Sequence, residues 1–225
     1  MLTDHQFLLF EYQNIEEFLP VCRSIESLAG FSVTSPHKEN IIPLLDHLDE
    51  DAAKIGAVNC VKVEVVNGSK KMTGYNTDYF GFLHSLKPFL EPRHERALVL
   101  GTGGAAKAVA FALKKIGVDV WYVTRKKKNQ DNHSHLLEYE ELNQSVFQAF
   151  KLIVNATPSE MLNGPSACPL IKYEYLSSEH LCYDLIYQPE ATEFIRRSKM
   201  YGAATLNGLD MLYAQAEKAW SIWNS

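Results

Sequence analysis

Ala97-Leu98-Val99-Leu100-Gly101-Thr102-Gly103-Gly104-Ala105-Ala106 is the stretch on which the fold turns. Four apolar residues read as a short buried strand. The glycines after them open into a helical pattern, Ala105–Ile116, ended by Gly117. Gly101, Gly103 and Ala106 satisfy G-x-G-x-x-A, a pattern that is weak alone and gains meaning from its strand-to-helix setting. Glycine at 101 permits a tight turn, and glycine at 103 lets backbone approach a pyrophosphate. Alanine at 106 lets helix and strand pack closely. With Thr102, Gly104 and Ala105, the loop offers the unpaired N–H groups of a helix N-terminus to phosphate. No Lys-Ser or Lys-Thr follows at Walker-loop spacing, so a dinucleotide is the expected ligand; a glycine turn without a ligand is the alternative.

Downstream, Val118–Val123 reads as the next strand. An NAD site places Asp or Glu at its end, about 20 residues past the glycines, to accept from the ribose 2′-hydroxyl. Here the strand ends in Thr124-Arg125-Lys126-Lys127-Lys128, with no acidic residue between Asp119 and Asp131. A cationic end suits a 2′-phosphate, Arg125 best through its planar fork, so NADP is expected over NAD. Lys127 and Lys128 fit a solvated loop face equally well, and Lys126–Ser134 is expected to be a mobile surface loop. Leu152–Val154 and Leu181–Tyr183 look like further buried strands, and strands alternating with helices imply a parallel sheet. The expected fold class is α/β: a Rossmann-type, doubly wound parallel-sheet NADP domain over 79–207, preceded by an incomplete α/β substrate domain over 1–78. A last helix, Leu209–Trp220, carries Leu212, Ala216 and Ala219 on one face, and residues 208–225 are expected to pack back on the first domain.

Upstream, Phe7–Phe10 looks like a strand. Ile15, Phe18, Leu19, Cys22 and Ile25 follow at helical spacing. Gly30–Thr34 reads as a short strand ended by Pro36, with helices expected over Ile41–Asp49, Asp51–Ile55 and Leu83–Leu90. Ala57–Val66 and Lys70–Tyr75 are strand-like runs joined at Asn67-Gly68, a strong hairpin signal.

Composition narrows the function classes. Hydrophobic residues make up 46% of the 225 and charged residues 22%, a balance that excludes a disordered or fibrous chain. A net charge of −5 offers nucleic acid no overall basic field. No uncharged apolar run reaches the ~18 residues of a membrane span. The first residues lack the pattern of a signal peptide. Cys22, Cys60, Cys168 and Cys182 contain no CxxC pair and read as reduced thiols of a cytoplasmic protein. His133 and His135 form an isolated H-x-H in a polar stretch, with no further zinc ligand nearby, so no metal is expected.

Two polar clusters stand in the first unit, Val33-Thr34-Ser35-Pro36-His37-Lys38 and Gly74-Tyr75-Asn76-Thr77-Asp78, with Gly56-Ala57-Val58-Asn59 between them. Each looks like a loop at a strand end, where a Lys, an Asn and an Asp can converge on one small polar molecule. A surface charge for Lys38 and a helix cap for Asp78 are the plain structural alternatives. In this order the elements resemble shikimate dehydrogenase. The family's N-V-T-x-P-x-K is matched by Ser32–Lys38, with Ser32 in place of Asn. G-A-V-N is matched by Gly56–Asn59, G-x-N-T-D by Gly74–Asp78, and G-x-G-G-A-A by Gly101–Ala106. N-R-T keeps only Arg125. N-A-T-P is Asn155–Pro158, D-x-x-Y is Asp184–Tyr187, and G-x-x-M-L-x-x-Q is Gly208–Gln215.

The resemblance implies a reversible, NADPH-dependent reduction of 3-dehydroshikimate to shikimate, in aromatic amino-acid and chorismate biosynthesis. It implies Lys38 and Asp78 as the catalytic pair, and Thr34, Asn59, Asp78, Tyr187 and Gln215 as substrate contacts. It places NADP against the glycine loop, Thr124, Arg125, Lys126, Thr157, Leu185, Gly208 and Met211. The implied partner is a small-molecule substrate, with no nucleic acid and no membrane, and a homodimer is the assembly considered. The family's preceding strand and helix, with an H-S-x-S-P segment that holds the substrate carboxylate, has no counterpart in residues 1–20. A truncated start is the favoured explanation, and this form is expected to bind NADP but turn over shikimate weakly. Two alternatives stand beside this reading: a quinate/shikimate dehydrogenase using NAD, and a non-catalytic NADP-binding relative.

Overall fold

A computed structural model describes residues 5–127, 135–157 and 168–225. In the first part, α1 (Phe18–Ser24) precedes β1 (Gly30–Ser32), β2 (His47–Leu48), α2 (Glu50–Ile55) and the hairpin strands β3 (Cys60–Val66) and β4 (Ser69–Tyr75). They form a mixed sheet in the order β1-β3-β4-β2, with β2 parallel to β4 and the other pairs antiparallel. Asn67 and Gly68 both have positive φ, 52° and 76°, as a tight hairpin turn requires. Phe18 and Cys22 of α1 pack with Ile41, Ala52, Val58, Val61, Val63 and Met72 to make the core of this part. The α1 C-terminus is closed by the Lys70 ammonium, which donates to the carbonyls of Cys22, Arg23 and Ile25.

The sequence reading errs at three places here. Phe7–Phe10 is not a strand: among the described residues no strand pairs it, and Phe7, Leu8 and Leu9 are exposed. Apolar composition without a ladder partner does not make a strand. Ile41–Asp49 is not one helix. Pro43 sits in a single 3-10 turn, Ile42–Leu44, and His47-Leu48 then leaves to pair with Thr73 and Gly74. The helix expected from Leu83 begins earlier, at Asp78.

The second part starts with that helix, α3 (Asp78–Leu86). It continues through β5 (Arg96–Leu100), α4 (Gly104–Lys115), β6 (Asp119–Thr124), β7 (Leu136–Glu138), α5 (Gln144–Ala149), β8 (Leu152–Asn155), β9 (Leu181–Asp184), α6 (Glu193–Met200), β10 (Ala204–Leu206) and α7 (Leu209–Trp223). The sheet order is β10-β9-β8-β5-β6-β7, and every neighbouring pair is parallel. This is the doubly wound order, and its direction of winding reverses between β5 and β8. In sheets of this order, ligands bind at that point, beyond the carboxyl ends of the strands. β5, β8 and β9 carry buried residues on both faces, as strands covered by helices on each side must. Among the described residues no helix is long and apolar enough to cross a membrane.

α3 and α7 join the two parts. Gly81 is needed there, since a Cβ would stand 2.6 Å from the Met211 carbonyl oxygen and 2.9 Å from the Gln215 nitrogen. The buried face of α7 is Met211, Ala214 and Ala219; Leu212 is half-buried and Ala216 exposed, which corrects the expected stripe. At the far end Trp223 donates its indole N–H to the Val61 carbonyl, so α7 reaches from the second sheet to the first. All four cysteines are free and buried. His135 stacks on Trp121 with ring centroids 4.8 Å apart, while His133, Lys128 and most of the expected Lys126–Ser134 loop lie outside the described residues.

Two buried histidines tie loops beneath the parallel sheet. The Nδ1 of His94 accepts from the Glu91 N–H, and the Nδ1 of His180 accepts from the Ser177 N–H while its Nε2–H donates to the Phe147 carbonyl. Protonating either Nδ1 would set two donors face to face. Burial, the leading cause, holds both pKa values below the ordinary 6.5. The unfolded chain therefore takes up protons that the folded chain refuses as pH falls below 6.5, and folding loses stability in that window. Urea midpoints measured at about pH 7.5 and about pH 5.5 should fall with acid, and the drop should shrink in His180→Asn. An equal drop in that variant would show the histidine linkage to be wrong.

Candidate active site between the two sheets

Backbone hydrogen bonds knit three loops of the first part together. The Val33 N–H donates to the Asn59 carbonyl, the Val58 N–H to the Lys38 carbonyl at 2.8 Å, and the Asn59 N–H to the Tyr75 carbonyl. Lys38 is thereby fixed beside the Gly56–Asn59 element, and Asp78 stands opposite as the first residue of α3. The Lys38 Nζ lies 2.6 Å from Asp78 Oδ2, with side chains 16% and 8% exposed. A pair so sheltered is costly to break, about 3–5 kcal/mol for one partner removed from a fully buried pair.

Asn59 is the hub of this cluster. Its Nδ2 donates to Asp78 Oδ1 at 2.8 Å and to Thr77 Oγ1 at 3.0 Å, and lies 3.4 Å from Gln215 Oε1. Its Oδ1 accepts the Thr77 N–H at 2.6 Å. Thr77 Oγ1 in turn lies 3.3 Å from Gln215 Oε1. Asp78 therefore does not cap α3 with its side chain; the Asn76 Oδ1 accepts the Tyr79 N–H instead. With Asp78 satisfied on both oxygens, the ammonium is held in place and one of its three protons is used. Among the described residues no group of His, Cys, Asp and Glu could hold a metal ion.

The glycine loop lies against this cluster. Gly101 has φ +110°, and a Cβ there would stand 3.2 Å from the Ala156 carbonyl oxygen. Gly103 caps α4 and faces open space, so a ligand can approach its backbone. A Cβ on Gly104 would stand 3.3 Å from the Lys38 Cβ and 3.4 Å from the Ala57 Cβ. The stem of the lysine thus touches the loop, and Lys107 of α4 pairs with Glu39 at 2.7 Å beside it. Open backbone at 103, the unpaired N–H groups opening the twelve-residue α4, and the end of β6 make a cradle that a dinucleotide fits.

The remaining expected residues are placed less uniformly. Lys38, Asn59, Asp78 and Gln215 are drawn into one bonded cluster, whereas Thr34 and Tyr187 are exposed and not bonded to it among the described residues. Thr102 stands in the loop and Ala105 in the first turn of α4; Thr124 ends β6, and Arg125 and Lys126 follow it. The Lys127 ammonium pairs with Glu141 and its N–H donates to Glu138, which turns this lysine to its own loop. Thr157 donates its hydroxyl to the Leu100 carbonyl at 3.3 Å. Gly208 passes so close to Leu185 that a Cβ would meet the Leu185 carbonyl oxygen at 2.0 Å, and Met211 is buried in the first turn of α7. Sequence reasoning gave no role to Thr77, Asn76, Glu39, Gly81 or Lys107. Asn76 and Thr77 stood in the Gly74–Asp78 element and were the legible signal.

Comparison with known proteins gives a consistent picture. Residues 2–61 match the family model described as "Shikimate dehydrogenase substrate binding domain". The chain is 38% identical over 223 residues to shikimate dehydrogenase (NADP(+)) of Aquifex aeolicus, covering 97% of this chain and 80% of that one. The crystal structure of shikimate dehydrogenase from Aquifex aeolicus aligns with a TM-score of 0.82 at 34% identity, over 96% of this chain and 79% of that one. Shikimate 5-dehydrogenase from Thermus thermophilus, solved in complex with NADP(H) and shikimate, aligns with a TM-score of 0.76 at 36% identity, over 92% of this chain and 78% of that one. The chain belongs to the shikimate dehydrogenase family.

Proposed function

We propose that this protein carries out the reversible, NADPH-dependent reduction of 3-dehydroshikimate to shikimate. One observation carries the reading: the Lys38–Asp78 pair, 2.6 Å apart and sheltered, abuts the glycine loop through Gly104. An acid group and a dinucleotide cradle thus meet at one crevice. The named relatives are NADP(+) shikimate dehydrogenases, and the Thermus structure holds both ligands. The cationic Arg125-Lys126 end of β6 supports NADP over NAD and disfavours the quinate alternative.

NADPH, when bound, supplies the hydride. The chain's own groups handle the charge and the proton. Negative charge develops on the ketone oxygen of the substrate, and the Lys38 ammonium stabilises it and delivers a proton. Asp78, 2.6 Å from the ammonium, holds it in place and aims it. Asn59 and Gln215, in contact with one another and with Thr77, would exchange some of these contacts for the hydroxyls of the substrate, with Thr34 and Tyr187 at the rim. Arg125, with Thr124 and Lys126, would hold the 2′-phosphate. The loop from Gly101 to Ala105 would hold the pyrophosphate, and Thr157, Leu185, Gly208 and Met211 would hold the nicotinamide half. Residues 1–78 with 208–225 serve as the substrate unit and 79–207 as the cofactor unit.

Lys38→Ala should lower kcat by roughly 10²–10⁴-fold while the chain still binds NADPH. An unchanged rate would instead support an NADP-binding relative without catalysis. Arg125→Ala should raise the KM for NADPH by about tenfold and leave that for NADH nearly unmoved, since a charge-assisted contact to the 2′-phosphate is lost. Steady-state rates with shikimate and quinate, each with both cofactors, check the pair of expectations. Preference for quinate and NAD would overturn the cofactor and substrate assignment together.

A further inference from the structure

Asp184 closes β9 and is fully buried, yet no role in the proposed chemistry falls to it. Its Oδ1 accepts from the Asn155 amide at 3.0 Å and from the Ile186 N–H at 3.1 Å. Its Oδ2 accepts the Thr192 hydroxyl at 2.6 Å. Asn155 closes β8, and its own Oδ1 accepts the Thr157 N–H at 3.1 Å. One carboxylate therefore ties the loop after β8, the loop after β9 and the start of α6 into a single unit. The reach extends further, because the Gly208 N–H donates to the Ile186 carbonyl and the Gly208 backbone lies against Leu185.

We propose that Asp184 is a positioning residue of the cofactor site, which sets Thr157 through Asn155 and sets Leu185 and Gly208 through Ile186. The inference rests on the NADP reading given above. Asp184 touches neither substrate nor cofactor; it fixes the shape of the two strand ends that face them. All three of its partners are neutral donors, so the carboxylate works by accepting hydrogen bonds rather than by pairing with a cation. Burial raises its pKa, and the hydrogen bonds from Thr192, Ile186 and Asn155 offset only part of that rise.

Three substitutions separate this role from plain stabilisation. Asp184→Ala strands three buried donors and should weaken NADPH binding about tenfold or more, read by NADPH fluorescence at a temperature where circular dichroism shows the variant folded. Asp184→Asn keeps an oxygen toward Asn155 and Ile186 and can donate to the Thr192 oxygen. It should bind NADPH within about threefold of wild type. Asn155→Ala cuts only the path to Thr157 and should weaken binding about fivefold; it decides the matter if Asp184→Ala does not fold. A role confined to stability would lower the melting temperature and leave the NADPH Kd unchanged, and that result overturns the inference. So does Asp184→Asn as weak as Asp184→Ala. Wild-type protein that fails to bind NADPH removes the proposed function as well, whereas wild-type binding matched by the folded variants removes the positioning role alone.

Discussion

The ion pair of Lys38 and Asp78 is the constraint around which the first part of the molecule is arranged. A sheltered carboxylate needs hydrogen bonds on both oxygens, and a sheltered ammonium needs a counter-charge. Asn59 answers the first need and Asp78 the second. Asn59 can do so only because its backbone is pinned at the Tyr75 carbonyl on one side and the Val33 N–H on the other. The small mixed sheet is thus a frame that delivers three polar loops to one point. The start of α3 adds a further element, since a carboxylate in a first helical turn is favoured by the helix dipole.

The parallel sheet meets that point for a topological reason. Its winding reverses between β5 and β8, and ligand crevices form there because the connections on either side go to opposite faces. Gly101 turns the chain at the end of β5, and Gly104, lacking a Cβ, lets the loop rest on the Lys38 stem. The Lys107–Glu39 pair spans the same seam. A larger residue at 104 would push against the lysine whose position the chemistry needs, so the third glycine of the loop serves the other lobe as much as its own.

Much of this was legible in the sequence, and the lapses have physical causes. Strong local signals came through: the apolar run into Gly101, the Asn67-Gly68 hairpin, and the cationic end of β6. Residue type points to Lys38, Asn59 and Asp78, the family resemblance adds Gln215, and the fold gathers all four. The short edge strands β7 and β10 are not legible, because three residues carry no periodicity. Phe7–Phe10 misled in the opposite way, with strand-like composition and no ladder to join. Pro43 was overlooked as a helix breaker, and Gly81 could not be read because its demand arises from α7, more than one element away in sequence.

Two buried carboxylates, Asp78 and Asp184, show how one residue type is put to different ends by its neighbours. Asp78 faces a cation and one amide, so it holds and orients the Lys38 ammonium. Asp184 faces an amide, an N–H and a hydroxyl, so its oxygens are shared among neutral donors that belong to three separate segments. A fully buried carboxyl group without a cation is costly unless its oxygens are hydrogen-bonded, and a group bonded on both oxygens is held rigidly. Rigidity at the ends of β8 and β9 is what a crevice needs if a long flexible dinucleotide is to present one face to Lys38. The two carboxylates also meet through α7: its start is tied to Asp184 by way of Gly208 and Ile186, and its Gln215 reaches Asn59 beside Asp78.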